Sequence, residues 1–203
     1  MRPKLLIATN NAGKLREYRS LLEGMPFDLV SPADAGIKAD VAETGKTFEE
    51  NARLKALAFA SLSKLLTLAD DSGLEVDALA SEPGVRSARY AGENATDADR
   101  ISYLLVKLKN VPREKRSARF RCVIAIAKPD GWITTCEGEC AGYITLEPRG
   151  TCGFGYDPVF YFPELGKTMA ELVPEVKNRV SHRARAAAKA REILLKIARE
   201  SVI

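Results

Sequence analysis

The stretch from Ala118 to Ile144 restricts the possible folds more than any other part of the chain. Phe120, Cys122, Ile124 and Ile126 recur at every second position, Pro129-Asp130-Gly131 supplies turn chemistry, and Trp132 to Ile144 follows. That period of two with its turn predicts a long antiparallel hairpin. The N-terminus adds a different unit: Lys4 to Thr9 reads as a buried strand, Lys14 to Leu22 as a helix closed by Gly24, and Phe27 to Val30 as a second strand. These elements are expected to pack around one mixed sheet.

Between these anchors, Thr47-Phe48-Glu49-Glu50 has the capping-box pattern and opens a helix expected to run through Leu65. Leu66 to Ala69 then reads as a short strand ending in a turn at Asp70-Asp71-Ser72-Gly73. Thr96, with Asp97 and Asp99 ahead of Ile101, Leu104, Leu105 and Leu108, caps an amphipathic helix that reads as scaffold. Gly150 to Pro158 reads as a glycine-rich loop, and Ser181 as the cap of a closing helix. There is no repeat, low-complexity tract or linker, and 203 residues suit one folding unit.

Composition removes several classes. The chain is 46% apolar and 29% charged, and no apolar run approaches the roughly 20 residues that cross a bilayer. The apolar stretch after Met1 is too short for a signal peptide, so the expected location is the cytoplasm, with no membrane partner. Thirty-one Lys and Arg against 27 Asp and Glu leave +4, too mild an excess for a dedicated nucleic-acid binder. The basic residues of the last helix, among them Arg185, Lys189, Arg191 and Arg199, read as a solvated face. The four cysteines form no CxxC pair, and with one histidine in the chain a zinc site lacks its usual ligands. Cys136 and Cys140 would lie about 13 Å apart on one strand, too far for a disulfide, so all four are expected to be reduced.

Five places could carry chemistry. Thr9-Asn10-Asn11-Ala12-Gly13-Lys14 brings a hydroxyl, amides, a lysine and exposed N–H groups to a helix N-terminus, which suits phosphate, although an ordinary strand-to-helix turn has the same make-up. Asp70 and Asp71 are adjacent on an extended chain, so their side chains point opposite ways: one can face a site while the other supports it. Carboxylates so placed, with Glu43 as a second acid, suit Mg²⁺, which reaches proteins through one or two carboxylates plus substrate phosphates. A polar turn reads the same. Phe154-Gly155-Tyr156-Asp157 places an aromatic ring and a carboxylate amid glycines, fit for a planar ligand or for a simple turn. Lys177 and Ser181-His182-Arg183 bring cationic, hydroxyl and imidazole groups to the start of the last helix, the only histidine included.

Together, in this order and spacing, these segments, with Glu43 ahead of Thr47-Phe48 and Glu50-Asn51-Ala52, resemble the Ham1 family of inosine and xanthosine triphosphate pyrophosphatases. The likeness runs from about Leu5 into the final helix. It implies an α/β fold with an elongated central mixed β-sheet flanked by helices, two lobes around an active-site cleft, and a homodimer. The implied reaction is Mg²⁺-dependent hydrolysis of ITP, dITP and XTP between the α- and β-phosphates. Carried residue by residue, Thr9 to Lys14 and Lys55 are implied to bind phosphate, with Arg89 near it, and Glu43 and Asp71 to hold metal. Asp71 is implied to be the proton acceptor supported by Asp70. Ser72, Phe154, Gly155, Tyr156, Asp157, Lys177, Ser181, His182 and Arg183 are implied to hold the base, Arg183 and His182 by donating to its 6-oxo group. The chain departs from the family pattern at Cys152, where the family has glycine, and at Arg86 after Gly84-Val85. A residue forced to positive φ at position 152 would be strained.

Overall fold

The computed structural model describes residues 2–200. Its strands form a seven-stranded sheet in the order β2-β1-β3-β4-β5-β6-β7. The first three, β1 (Lys4–Ile7), β2 (Asp28–Val30) and β3 (Leu66–Val76), are parallel, with Leu6 opposite both Val30 and Thr67. The hairpin forms as the alternation requires: β4 (Ser117–Ala127) returns as β5 (Ile133–Ile144), Lys128 N–H donating to the Trp132 carbonyl, with Gly131 at positive φ in the turn. Beyond it, β6 (Phe160–Phe162) pairs antiparallel with β5, and β7 (Lys167–Thr168) with β6. The sheet is therefore mixed. The helices are α1 (Ala12–Leu21), α2 (Phe48–Ser63), α3 (Asp97–Lys107), α4 (Pro174–Val180) and α5 (His182–Glu200).

The chain divides into two compact units. Among the described residues, the first comprises 2–71, 122–138 and 183–200. One face of its sheet presents Leu5, Ile7, Leu68, Cys122, Ile124 and Ile126 to Tyr18 of α1, to Leu22 that caps its C-terminus, and to Ala186, Ala187, Ala190 and Leu194 of α5. The intervening Leu6, Thr67, Ala69, Val123 and Ala125 are buried as well, on the opposite face by strand alternation. The second unit comprises residues 72–121 and 139–182. Its core joins Leu74 and Val76 to Ile101, Leu104 and Leu108, Phe120, Cys140, Phe160 and Phe162. Here β4 alternates buried and part-exposed positions, whereas from Cys122 onward every residue is buried. A strand covered on both faces loses its alternation.

Three expectations need correction. Asp70-Asp71-Ser72-Gly73 is not a turn: β3 runs unbroken from Leu66 to Val76. The preference of Asp, Ser and Gly for turns yields because both carboxylates find cationic or amide partners within the fold, so the strand can bury them. The Thr47 capping box is only half formed. Thr47 Oγ1 accepts the Glu50 N–H at 3.1 Å, but Glu50 Oε2 accepts from Lys46 N–H at 2.6 Å instead of closing back on Thr47. The helix ends at Ser63, with Lys64 left-handed, not at Leu65. Finally, the last helix is not simply a solvated basic face. Arg191 donates to the carbonyls of Leu21 and Glu23, satisfying orphan acceptors at the end of α1, and Lys189 Nζ donates to the Glu137 carbonyl.

The cysteines are all free thiols, and among the described residues no helix is long and apolar enough to cross a membrane. Cys152 avoids the strain considered for it. The left-handed positions of its loop are Gly150, Gly153 and Gly155, while Cys152 N–H donates to the Ala170 carbonyl at 3.0 Å.

Gly142 on β5 tests the tightest approach in the sheet. A Cβ there would lie 2.3 Å from the Tyr161 carbonyl oxygen and 2.7 Å from the Phe160 ring. Gly142→Ala is expected to cost about 2 kcal/mol, at the middle of the range for overpacking, and to lower the Tm by roughly 5 °C in thermal unfolding.

Candidate functional site

In the first unit the functional groups gather around the buried acids of β3. Asp70 is 2% exposed, and its Oδ2 lies 3.0 Å from Lys14 Nζ and 3.5 Å from Arg183 Nη2. Burial alone would raise its pKa, but Lys14, Arg183 and Lys55 outweigh it and hold the carboxyl far below the usual carboxylate range. Asp70 is therefore a fixed negative charge. Its neighbour Asp71 points to the other face, where its Oδ2 accepts from Asn51 Nδ2 of α2 at 2.9 Å. Burial first and the charge of Glu43 second push the Asp71 carboxyl above its ordinary range, against the opposing pull of Lys55. Two adjacent aspartates thus have opposite proton affinities, set by what each face offers.

Lys55, one turn after Asn51 on the same face of α2, donates to Glu43 Oε1 at 2.7 Å and to the Asp70 carbonyl at 2.6 Å. Three acids keep its ammonium charged although burial opposes it. Glu43 reaches this place because Gly45 lets the loop lie on the helix start: Gly45 N–H donates to Asn51 Oδ1 at 2.8 Å, and a Cβ would meet that oxygen at 2.7 Å. Glu43 and Asp71 are hard oxygen donors close enough to oppose each other's charge. That is a donor set which fits a divalent cation such as Mg²⁺ completed by substrate oxygens. No cluster of three His, Cys, Asp or Glu suited to a metal occurs among the described residues.

The loop before α1 is ordered by its own side chains. Asn11 caps the helix, its Oδ1 accepting Lys14 N–H at 3.0 Å, and Thr9 Oγ1 accepts Asn11 N–H at 3.2 Å. Gly13 is buried, while Asn10, Asn11 and Ala12 are exposed at the positive end of a ten-residue helix. Arg183 is also in this unit, and it is 2% exposed. Its Nη1 bonds Glu17 Oε2 of α1 at 2.6 Å, and its guanidinium lies 5.9 Å from the centre of the Tyr18 ring. Below it, Asp70 and burial raise the Cys122 thiol to about 12, burial being the larger cause. That cysteine is a neutral, inert part of the packing.

The second unit holds the other group. Asp157 Oδ2 accepts from Phe154 N–H at 2.9 Å and from Lys177 Nζ, whose ammonium sits 4.8 Å from the centre of the Phe154 ring. A Cβ on Gly153 would lie 2.1 Å from Asp157 Oδ2, so glycine is required there by space as well as by its positive φ. Tyr156 is buried and donates to the Ser87 carbonyl at 2.9 Å. His182 is buried with its ring stacked on Phe120, centroids 4.7 Å apart, and Ser181 is buried just before it. Arg89 is exposed on a short 3₁₀ turn, and Ser72 follows Asp71 on β3.

The fold therefore brings Lys14, Lys55, Glu43, Asp70, Asp71 and Arg183 together in one unit, and Phe154, Asp157 and Lys177 together in the other. Four residues not singled out for the site from sequence join them: Asn51 on Asp71, Glu17 on Arg183, Phe120 on His182, and Asp97, which accepts from Gly155 N–H at 2.7 Å. Only Asn51 carried a signal, a polar residue in phase with Phe48, Ala52 and Lys55 on the buried face of α2.

Comparison with known proteins gives a consistent result. The model of the Ham1 family matches residues 5–193. A dITP/XTP pyrophosphatase of Geobacillus kaustophilus is 54% identical over 186 residues, 92% of this chain and 91% of that protein. The dITP/XTP pyrophosphatase of Bacillus subtilis is 48% identical, over 93% of this chain and 96% of that protein. Among solved structures, a HAM1 protein from Coxiella burnetii superposes with a TM-score of 0.87 at 43% identity, covering 96% of this chain and 99% of that one. The Staphylococcus aureus Ham1 protein gives 0.85 at 43% identity, covering 95% and 98%. With a family profile and relatives of this identity spanning nearly its whole length, the chain belongs to the Ham1 family.

Proposed function

We propose that this chain is a nucleoside-triphosphate pyrophosphatase that hydrolyses the deaminated purine nucleotides ITP, dITP and XTP to the monophosphate and pyrophosphate, with Mg²⁺, and so clears them from the nucleotide pool. The carrying observation is the split of Asp70 and Asp71 between the two faces of β3, Asp70 paired with Lys14 and Arg183 and Asp71 bonded to Asn51 of α2, where Lys55 holds Glu43. Relatives named dITP/XTP pyrophosphatases support the substrate class.

In this reading the N-terminus of α1, with Thr9, Asn10 and Lys14, cradles the phosphates, and Lys55 and Arg89 add positive charge. Asp71 accepts the proton of the attacking water as its oxygen bonds to the α-phosphorus and pyrophosphate leaves. Asn51 fixes the orientation of Asp71, and Asp70 fixes Lys14. Glu43 and Asp71 would hold Mg²⁺, whose charge would lower the pKa of water and offset that of the leaving pyrophosphate. Phe154 stacks on the base, with Lys177 and Asp157 beside it. Glu17 and Asp70 set the plane of the Arg183 guanidinium, which suits a donor that must meet the 6-oxo oxygen at one angle. Adenine presents an amino donor at that position, and a site built from donors rejects it by about 10⁴. The whole chain acts as one catalytic domain, as a cytoplasmic homodimer without a nucleic-acid or membrane partner.

Two measurements test this. With ITP, dITP, XTP, GTP, ATP and dUTP offered in turn, pyrophosphate and the monophosphate are expected from the first three at rates far above the rest. Orthophosphate and IDP from ITP would overturn the reaction. Asp71→Asn keeps the shape but removes the proton acceptor, and is expected to lower kcat by about 10² to 10⁴ while IMP still binds; undiminished turnover would take Asp71 out of the mechanism.

A further inference from the structure

The turn that carries Phe154 is held by two carboxylates, and only one belongs to the turn. Asp157 accepts the Phe154 N–H. The next N–H, of Gly155, is taken at 2.7 Å by Oδ2 of Asp97, the first residue of α3. A carboxylate accepting a backbone N–H makes a charge-assisted bond, stronger than a neutral one. Asp97 is itself held in place. Its Oδ1 pairs with Arg100, whose Nη1 donates to the Ala88 carbonyl at 2.9 Å. The start of α3 is pinned by a complete capping box, Thr96 Oγ1 accepting from Asp99 N–H and Asp99 Oδ2 from Thr96 N–H. Gly155 lies at φ +61° with open space where a Cβ would be, so its conformation is left-handed but not sterically enclosed. Glycine adopts either sign of φ readily, so a partner on its N–H narrows the conformations open to the turn.

We propose that Asp97 is a positioning residue for base recognition: by fixing the Gly155 N–H from the capped end of α3, it presets the Phe154 ring over Lys177 for a 6-oxo purine. This rests on the reading above that Phe154 and Lys177 hold the base. Asp97 acts through the Gly155 N–H on the turn that carries Phe154, so its effect falls on base binding and not on bond cleavage. Preordering a loop lowers the entropy lost when a ligand binds.

The test compares wild type, Asp97→Ala and Asp97→Asn. Affinity for IMP, which lacks the β- and γ-phosphates, is measured by calorimetry, and kcat and KM by pyrophosphate release from ITP. Removing the acceptor is expected to weaken IMP and raise the KM for ITP by about tenfold, the usual size for a hydrogen bond to a charged group. The kcat should stay within about twofold. Asp97→Asn keeps an acceptor oxygen and should recover most of the affinity. Unchanged IMP binding in Asp97→Ala, or a fall in kcat without a rise in KM, overturns the proposal. Should Asp97→Ala fail to fold, Asp97→Ser gives the same comparison, because serine is accepted at helix starts but its hydroxyl is too short to reach Gly155. A wild type that neither binds IMP nor releases pyrophosphate from ITP would instead refute the function itself.

Discussion

The buried charge of Asp70 is the constraint on which the first unit depends. Removing a carboxylate from water costs several kcal/mol even after the surroundings relax, and only close cations offset it. Lys14 from α1 and Arg183 from α5 supply that compensation on one face of β3. Each is then fixed in turn: Arg183 by Glu17, and the start of α1 by the Asn11 cap. Deleting one partner of such a group typically costs about 3–5 kcal/mol, because the charge left behind is buried and uncompensated. A single acid thereby holds two helix ends and the lysine of the phosphate loop in register.

Strand geometry carries the consequence to the other face. Since successive side chains alternate, anchoring Asp70 aims Asp71 at α2, where Asn51 and the Glu43 loop wait. Lys55 connects the two sides chemically by bonding Glu43 and the Asp70 carbonyl together. The same pair of residues thus gives a carboxylate that stays ionised and one that holds its proton more readily, the usual basis for separating a supporting charge from a base.

The second unit solves a different problem, holding an aromatic ring on an irregular turn. Glycine at 153 admits the Asp157 carboxylate, Asp157 gathers the Phe154 N–H and the Lys177 ammonium, and Tyr156 ties the turn to Ser87. Cys152 is harmless there, since the left-handed positions on either side of it are all glycine. Backbone donors are answered by side chains on separate elements, so the turn keeps its form without regular secondary structure.

Sequence by itself determined the period-two hairpin, the strand-loop-helix start, the N-caps at Thr47 and Thr96, and the opposed directions of Asp70 and Asp71, because each follows from spacing within a few residues. It also gave, through resemblance, the membership of the family. What it could not determine were contacts between distant segments. Asn51 meets Asp71 across 20 residues, Asp97 meets Gly155 across 58, and Glu17 meets Arg183 across 166. Local chemistry even pointed the wrong way at Asp70-Asp71-Ser72-Gly73, where turn-forming residues lie inside a strand. Tertiary structure decided that case, since a buried acid is tolerable in a strand only where the fold delivers its counter-charge, and no local window contains Lys14, Lys55 and Arg183 at once.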